Sequence, residues 1–434
     1  MQGFGRRMLG GLAGAALGAF GPFGRARAQA PAATPAPAPA GAPSAPPVRL
    51  GALFPLSGPS ALFGDECYRG LELAVEDRNA GGGVFGRPIA LVRADAPDEA
   101  AATEEARRLV QGPERVAAIF GSFSTTIALP ASQVAELANV PFFELCALGD
   151  PVVERGFRWV FRAAPQATDF AATALQGVSI LAAAMDRPDT ALRLAIAQED
   201  ALGAQSIGAA QEALMQARGL TLIQRASYAP RPTDLAGLVQ RLRGLDAEVV
   251  LHVGAPGDEV LLFRAMRDAN WQPRMVIGTA GGYGLGETAR SIGADFAGTM
   301  SADFTPFAVN ERIAPGARAF AELYLRRYGA EPRSGHGLAC FTGARLFLDA
   351  LHRAGSAERD RIRAALMATD IPEGLTACGW GARFDERGQN LRARPVLCQW
   401  QPTLATPGGQ AGLRQVAIAP AEAAIAAAQT RLGP

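Results

Sequence analysis

Lysine is absent from all 434 residues, so every fixed positive side chain is an arginine. That absence excludes a Walker A loop, which needs a lysine to reach the phosphates, and a pyridoxal enzyme, which needs one for its Schiff base. Histidine is scarce: His252, His336 and His352 are the only three and stand far apart. With the five cysteines they make none of the usual zinc spacings, so neither a metal nor a cofactor is expected. There is no G-x-S-x-G elbow and no histidine paired recognisably with a Ser or Cys nucleophile, which argues against a hydrolase. Neither sign of charge dominates: the formal net charge is +1 with both signs interspersed, leaving no basic stripe for nucleic acid and no polybasic patch for anionic lipid.

What is present is a hydrophobic fraction of 49%, enough for a full-sized core in two or three domains. Arg6 and Arg7 precede an apolar stretch over residues 8–20, and Ala28-Gln29-Ala30 offers a small-x-small cleavage site, so residues 1–30 read as an export signal, by the twin-arginine or the general secretory route. The stretch is shorter than the roughly 20 apolar residues of a spanning helix. Residues 31–47, PAATPAPAPAGAPSAPP, have no apolar face to bury and read as a tether.

From Val48 onward, strand-like apolar runs alternate with helical spacing. Strands are predicted at 48–54, 89–94, 116–120 and 141–145, then at 191–197, 220–226, 248–253 and 275–277, with helices between them. The alternation implies two parallel sheets, each covered by helices on both faces. Three more helices are predicted near 315–327, 338–354 and 358–368, and a hairpin pairing 382–384 with 395–400 closes the core.

Four stretches resemble the type I periplasmic binding proteins of the leucine/isoleucine/valine group: GALFPLSGPSALFGDECYRGLELAVEDRNAGGGVFGRPI, AAIFGSFSTTIALPASQVAELANVPFF, RGFRWVFRAAPQATD and GARFDERGQN. The resemblance implies two doubly wound lobes joined by three hinge crossings near Ala164, Ser301 and Glu373. Lobe one would be residues 48–164 and 300–373, lobe two 165–299 and 374–403, and 404–434 a C-terminal tail. It also implies an extracytoplasmic protein that captures a small carboxylate-bearing solute between the lobes and delivers it to the permease subunits of an ABC importer. A ligand sensor without transport fits the same fold, as does a branched-chain amino acid binder proper.

Candidate site residues follow from both lines. Gly121-Ser122-Phe123-Ser124-Thr125-Thr126 joins a strand end to a helix start, where free N–H groups and the helix dipole favour a carboxylate; a plain N-cap explains the same hydroxyls. The resemblance assigns the ligand carboxylate to Ser124 and Thr125, and makes Phe63 either a packing partner of the ligand or an ordinary core residue. Cys146, Ala147 and Leu148 follow the fourth strand. Where the family has an ammonium-binding hydroxyl, an acid and two aromatics, this chain has Leu148, Ala280, Leu202 and Pro256. Losing a buried charge partner costs about 3–5 kcal/mol, so an apolar or aromatic acid is expected over an α-amino acid unless Glu144 or Asp200 substitutes for the missing carboxylate. His252, at a strand end, faces cleft or core. Gly284-Leu285-Gly286-Glu287-Thr288-Ala289 with Asp303 loosely fits a dinucleotide fingerprint, or is simply a glycine-rich rim. The family's disulfide positions fall on Pro97 and Ser124, so that bridge is missing; Cys378 and Cys398, before and within the hairpin, are expected to lie across from one another.

Overall fold

The computed structural model describes residues 46–403 and 412–433. The export signal, most of the tether and residues 404–411 lie outside the described residues.

The first sheet is built from the apolar runs that open the folded chain. β1 (Val48–Phe54), β2 (Ile89–Asp95), β3 (Ile119–Gly121), β4 (Phe142–Glu144) and β5 (Val160–Arg162) are all parallel, in the order β2-β1-β3-β4-β5. β3, β4 and β5 are buried at every position, as a strand covered on both faces requires. The helices α1 (Ala61–Ala80), α2 (Glu99–Gln111) and α3 (Thr125–Leu137) are the crossovers between its strands. α2 begins where the Asp98 carboxylate accepts the Ala101 N–H at 2.9 Å.

The second sheet has seven strands: β6 (Leu194–Glu199), β7 (Leu222–Tyr228), β8 (Val249–Val253), β9 (Met275–Thr279), β10 (Met300–Asp303), β11 (Val396–Pro402) and β12 (Leu413–Ala419), in the order β12-β11-β10-β9-β8-β6-β7. β6 to β10 run parallel and the last two antiparallel. α4 (Ala167–Ala184), α5 (Leu202–Arg218), α6 (Ala236–Gly244), α7 (Asp258–Asp268) and α8 (Gly286–Ile292) accompany it, and α9 (Ala317–Tyr328), α10 (Gly335–Ala354) and α11 (Arg359–Met367) complete the chain. α4 is long and apolar enough to cross a membrane by length and composition alone, but half of it is buried in the protein. Its Gly177 faces the side chains of Ile277, Met300 and Leu397, so it covers the second sheet.

Four expectations need correction. The strand 396–402 pairs with 413–419, not with 382–384, so part of the expected tail is an edge strand. Residues 382–384 make single bridges instead, Ala382 with Ile371 and Phe384 with Asn390. The crossing placed near Ser301 falls after Asp303, because 300–303 are hydrogen-bonded between β9 and β11. The crossing placed near Glu373 falls between Asn390 and Val396: Arg162 of β5 bridges to Gln389, and its N–H donates to Gly388 O at 2.8 Å, which ties that segment to the first sheet. Cys398 lies opposite Ser301 and Ala417 rather than Cys378, whose Sγ rests 3.8 Å from the Thr376 hydroxyl.

α10 crosses α1 at very short range. A Cβ on Gly70 would stand 2.2 Å from the carbonyl oxygen of Gly337 and 3.1 Å from Cβ of Cys340, so only glycine permits this approach. Gly70→Val is therefore expected to force the helices apart and lower unfolding free energy by about 1–3 kcal/mol. A urea midpoint unchanged from that of the parent would contradict the close crossing.

Candidate functional site

The cleft floor is organised by a carboxylate that never reaches the cleft. Glu144 ends β4 and is fully buried. Its Oε1 accepts the backbone N–H groups of Ser122 (2.8 Å), Leu145 (3.0 Å), Cys146 (2.9 Å) and Ala147 (2.8 Å), and its Oε2 accepts the Ser122 hydroxyl at 3.0 Å. Burial pushes its pKa up while the N–H donors oppose that, and the net direction is upward. Both turns above the sheet, after β3 and after β4, are thereby fixed to one side chain. The buried Arg162 guanidinium extends the scaffold, donating to Gln389 Oε1 at 2.6 Å and to the carbonyl of Gly149 at 2.8 Å.

On that floor, α3 starts open. Ser124 is an extended N-cap residue whose hydroxyl makes no capping bond. Among the described residues, the N–H groups of Thr125 and Thr126 have no acceptor. The Thr125 hydroxyl accepts the Gly149 N–H at 3.0 Å, which holds the turn after β4 against the start of α3. Such a terminus carries unsatisfied donors and a partial positive charge.

Facing it across a cavity of 560 Å³ stand the strand ends of the second sheet. Glu199 ends β6 and Asp200 follows it, Val253 ends β8 with Gly254 to Pro256 and Asp258 beyond it, and Thr279 ends β9 with Ala280 and Gly281 beyond it; Arg231, His336 of α10 and Glu99 of α2 also line the cavity. Three carboxylates therefore share the wall opposite the open helix start. Burial, and then the charge of Asp258, push Glu199 up to about 7. Burial likewise raises Asp258, which accepts the Tyr228 hydroxyl at 2.9 Å and the Ala255 N–H at 3.0 Å.

Behind Asp258 lies an ordered chain. An ionised Asp258 can only accept, so Tyr228 O–H donates to it. The Tyr228 oxygen then accepts from His252 Nε2 at 2.9 Å, and His252 Nδ1 accepts from Tyr283 O–H at 2.7 Å. Burial holds His252 down at about 3, in keeping with a neutral ring that both donates and accepts. The fully buried Glu259 braces the adjoining loops: its Oε2 accepts the Gly257 N–H and its Oε1 the Gly282 N–H, each at 3.0 Å, and burial pushes it to about 8.

Ser124, Thr125, Cys146, Leu148, Leu202, Pro256 and Ala280 all line the cavity. Two candidates do not. Ala147 is buried beneath it with its N–H on Glu144, and Phe63 is buried behind Phe123, stacked at 4.7 Å, with His336 edge-on at 4.8 Å. Glu144 cannot stand in for the acid absent at Ala280, because its oxygens are spent on the two turns; Asp200 does line the cavity. His252 belongs to the core. The loose dinucleotide motif fails on structure, since α8 has 7 residues and Asp303 is buried against Gln415 Nε2 (2.9 Å) and the Phe304 N–H (2.8 Å). The sequence reading placed Phe123 within the candidate turn but did not single out Glu99, Glu199, Arg231, Asp258, Thr279 or His336 as lining residues. Glu199 and Thr279 had a signal in their place at strand ends, where open parallel sheets gather ligands; His336 had none.

Comparison with known proteins agrees with this architecture. The family described as periplasmic binding protein matches residues 47–399. Leu/Ile/Val-binding protein homolog 7 of Brucella abortus is 41% identical over 361 residues, covering 83% of this chain and 90% of that protein. The branched-chain amino acid transporter substrate binding protein LivJ of Streptococcus pneumoniae, solved with isoleucine, superposes with a TM-score of 0.68 at 18% identity, covering 86% of this chain and 99% of its own. A solute binding protein of an ABC transporter from Rhodopseudomonas palustris, solved with 3,4-dihydroxy benzoic acid, gives 0.67 at 17% identity, covering 85% and 96%.

The raised carboxylates set a pH dependence. Glu66, Glu199 and Asp303 at about 7 and Glu259 at about 8 bind protons more tightly folded than unfolded. Their stabilising contribution is complete below the unfolded values near 4 and is lost as pH rises through 7 to 8. Unfolding free energy from denaturant titrations should fall between pH 6.5 and 8, above the range in which the buried neutral His252 and His336 act in the opposite sense, and Glu259→Gln should flatten the slope above pH 7. A stability that rises across this interval would refute the assignment.

Proposed function

Because the chain belongs to the periplasmic binding protein family, we propose that its cleft captures a small zwitterion, most simply an α-amino acid, and that the loaded protein delivers it to the permease subunits of an ABC importer. One observation carries the reading: an uncapped helix start, rich in free N–H groups, stands opposite three carboxylates across a cavity of amino-acid size. A carboxylate belongs at Ser124-Thr125-Thr126. An ammonium belongs near Glu199 and Asp258, whose charge supplies what Ala280 lacks. Binding a cation there also offsets the burial, and then the repulsion from Asp258, that raise Glu199. The likeness to a Leu/Ile/Val-binding protein homolog supports the same class of ligand.

The two sheets with their helices would act as lobes that rotate about the three crossings. Contact between them already exists at one edge, where a Cβ on Gly203 of α5 would stand 3.0 Å from the Thr125 hydroxyl. The arginine pair and the apolar stretch of residues 8–20 support export to the periplasm, by the twin-arginine or the general secretory route. A second ligand class has its own support, since Phe123 backed by Phe63 offers an aromatic platform and the Rhodopseudomonas palustris protein was solved with an aromatic acid.

Calorimetric titration separates the two. After a thermal-shift survey of the standard amino acids, the best one is expected to bind at micromolar or tighter affinity. Its deaminated and decarboxylated analogues should each bind at least tenfold more weakly, about 1.4 kcal/mol. Glu199→Gln should cost the amino acid a similar factor and spare the deaminated acid. Absence of any amino acid effect, or equal binding of the deaminated acid or of 3,4-dihydroxybenzoate, would transfer the assignment to apolar and aromatic acids.

A further inference from the structure

Three of the five cysteines meet, although they stand at positions 67, 146 and 340. Their sulfurs all lie within 4.8 Å of one another, and Cys146 and Cys340 are 3.2 Å apart. Each arrives for its own reason. Cys67 is in α1 and Cys340 in α10, brought together by the Gly70 and Gly337 crossing. Cys146 is held by its N–H on Glu144. All three are buried, and Cys146 is also part of the cleft lining, which gives the cluster an entrance.

We propose that Cys67, Cys146 and Cys340 form a three-coordinate site for one thiophilic ion, reached through the cleft. A triangle with these sides encloses a point no more than about 2.5 Å from each sulfur, close to the ~2.3 Å of a metal–thiolate bond. Zinc fits poorly because it wants a fourth ligand. The adjacent Glu66 is committed, accepting Tyr324 O–H at 2.7 Å and the Arg333 N–H at 3.1 Å. His336 offers only a carbonyl, 4.0 Å from Cys146 Sγ, and its Nδ1 is on Ser334 at 3.1 Å.

Charge narrows the choice further. The nearby guanidinium groups, Arg69 of α1 and Arg333 just before α10, are paired with Asp65 at 3.0 and 2.8 Å, so they are not available to neutralise thiolates. Three thiolates around Cu(I) would leave two net negative charges in the interior and around Zn(II) one, both costly. A trivalent ion leaves none. With arsenite as the probe, As(OH)₃ and three S–H groups give As(S–Cys)₃ and three waters: three As–O and three S–H bonds break, three As–S and three O–H bonds form, and no electrons change hands.

The test uses the whole reduced protein. Native mass spectrometry with arsenite is expected to show one arsenic per chain, bound at least tenfold more tightly than Cu(I) or Zn(II). Alkylation footprinting should find Cys67, Cys146 and Cys340 shielded together, with Cys378 and Cys398 unaffected. Cys67→Ala and Cys340→Ala should each lower arsenite affinity at least a hundredfold, while Cys378→Ala leaves it unchanged; the footprint on the parent chain decides the matter if a variant fails to fold. Shielding of only two thiols, binding that survives either substitution, tighter Cu(I) or Zn(II) binding, or a Cys146–Cys340 disulfide in protein collected from the periplasm would overturn the site.

Discussion

A single buried carboxylate governs the shape of the cleft. Glu144 gathers four backbone N–H groups and one hydroxyl from two separate turns, so the end of β3 and the end of β4 cannot move independently. An unpartnered N–H in this interior would cost roughly 1–3 kcal/mol; Glu144 is the acceptor for those of Ser122, Cys146 and Ala147, while that of Leu145 also reaches the Gly121 carbonyl at 2.7 Å. The open start of α3 depends on this arrangement, because Ser122 lies two residues before its N-cap. So does the cysteine cluster, since the Cys146 N–H is one of the four.

The two sides of the cleft answer one another electrostatically. One presents N–H groups and the positive end of α3, the other presents Glu199, Asp200 and Asp258. Neither side pairs its own charge completely. Burial raises Glu199 and Asp258, so holding these carboxylates ionised carries a cost that a neighbouring cation would offset. Stability is thus set below its maximum at the proposed site, as is common where a site must accept charge.

How much of this was legible in the sequence depended on how local the cause was. Parallel strands buried on both faces leave continuous apolar runs, so β1, β6 and β8 stood out, whereas Arg162 in β5 and Ser301 and Asp303 in β10 break the apolar run that would have revealed those short strands. α4 was missed because helix Ala167–Ala184 is apolar nearly all round and shows little periodicity. The Ser124-Thr125 turn was readable because strand end, hydroxyls and helix start are consecutive. Glu199 and Asp258 were visible individually, but that they share a wall is a product of register between β6 and β8. Cys67, Cys146 and Cys340 carry no spacing signal, since only the glycine crossing and the Glu144 turns bring them together.

The chain Tyr283 to His252 to Tyr228 to Asp258 has a direction: every proton in it points toward the cleft. At its far end the carbonyl of Tyr283 accepts the indole N–H of Trp400 at 2.7 Å. Asp258 at the cleft and the indole of Trp400 in β11 are thus linked through two side chains, those of Tyr228 and His252, and a single further residue, Tyr283.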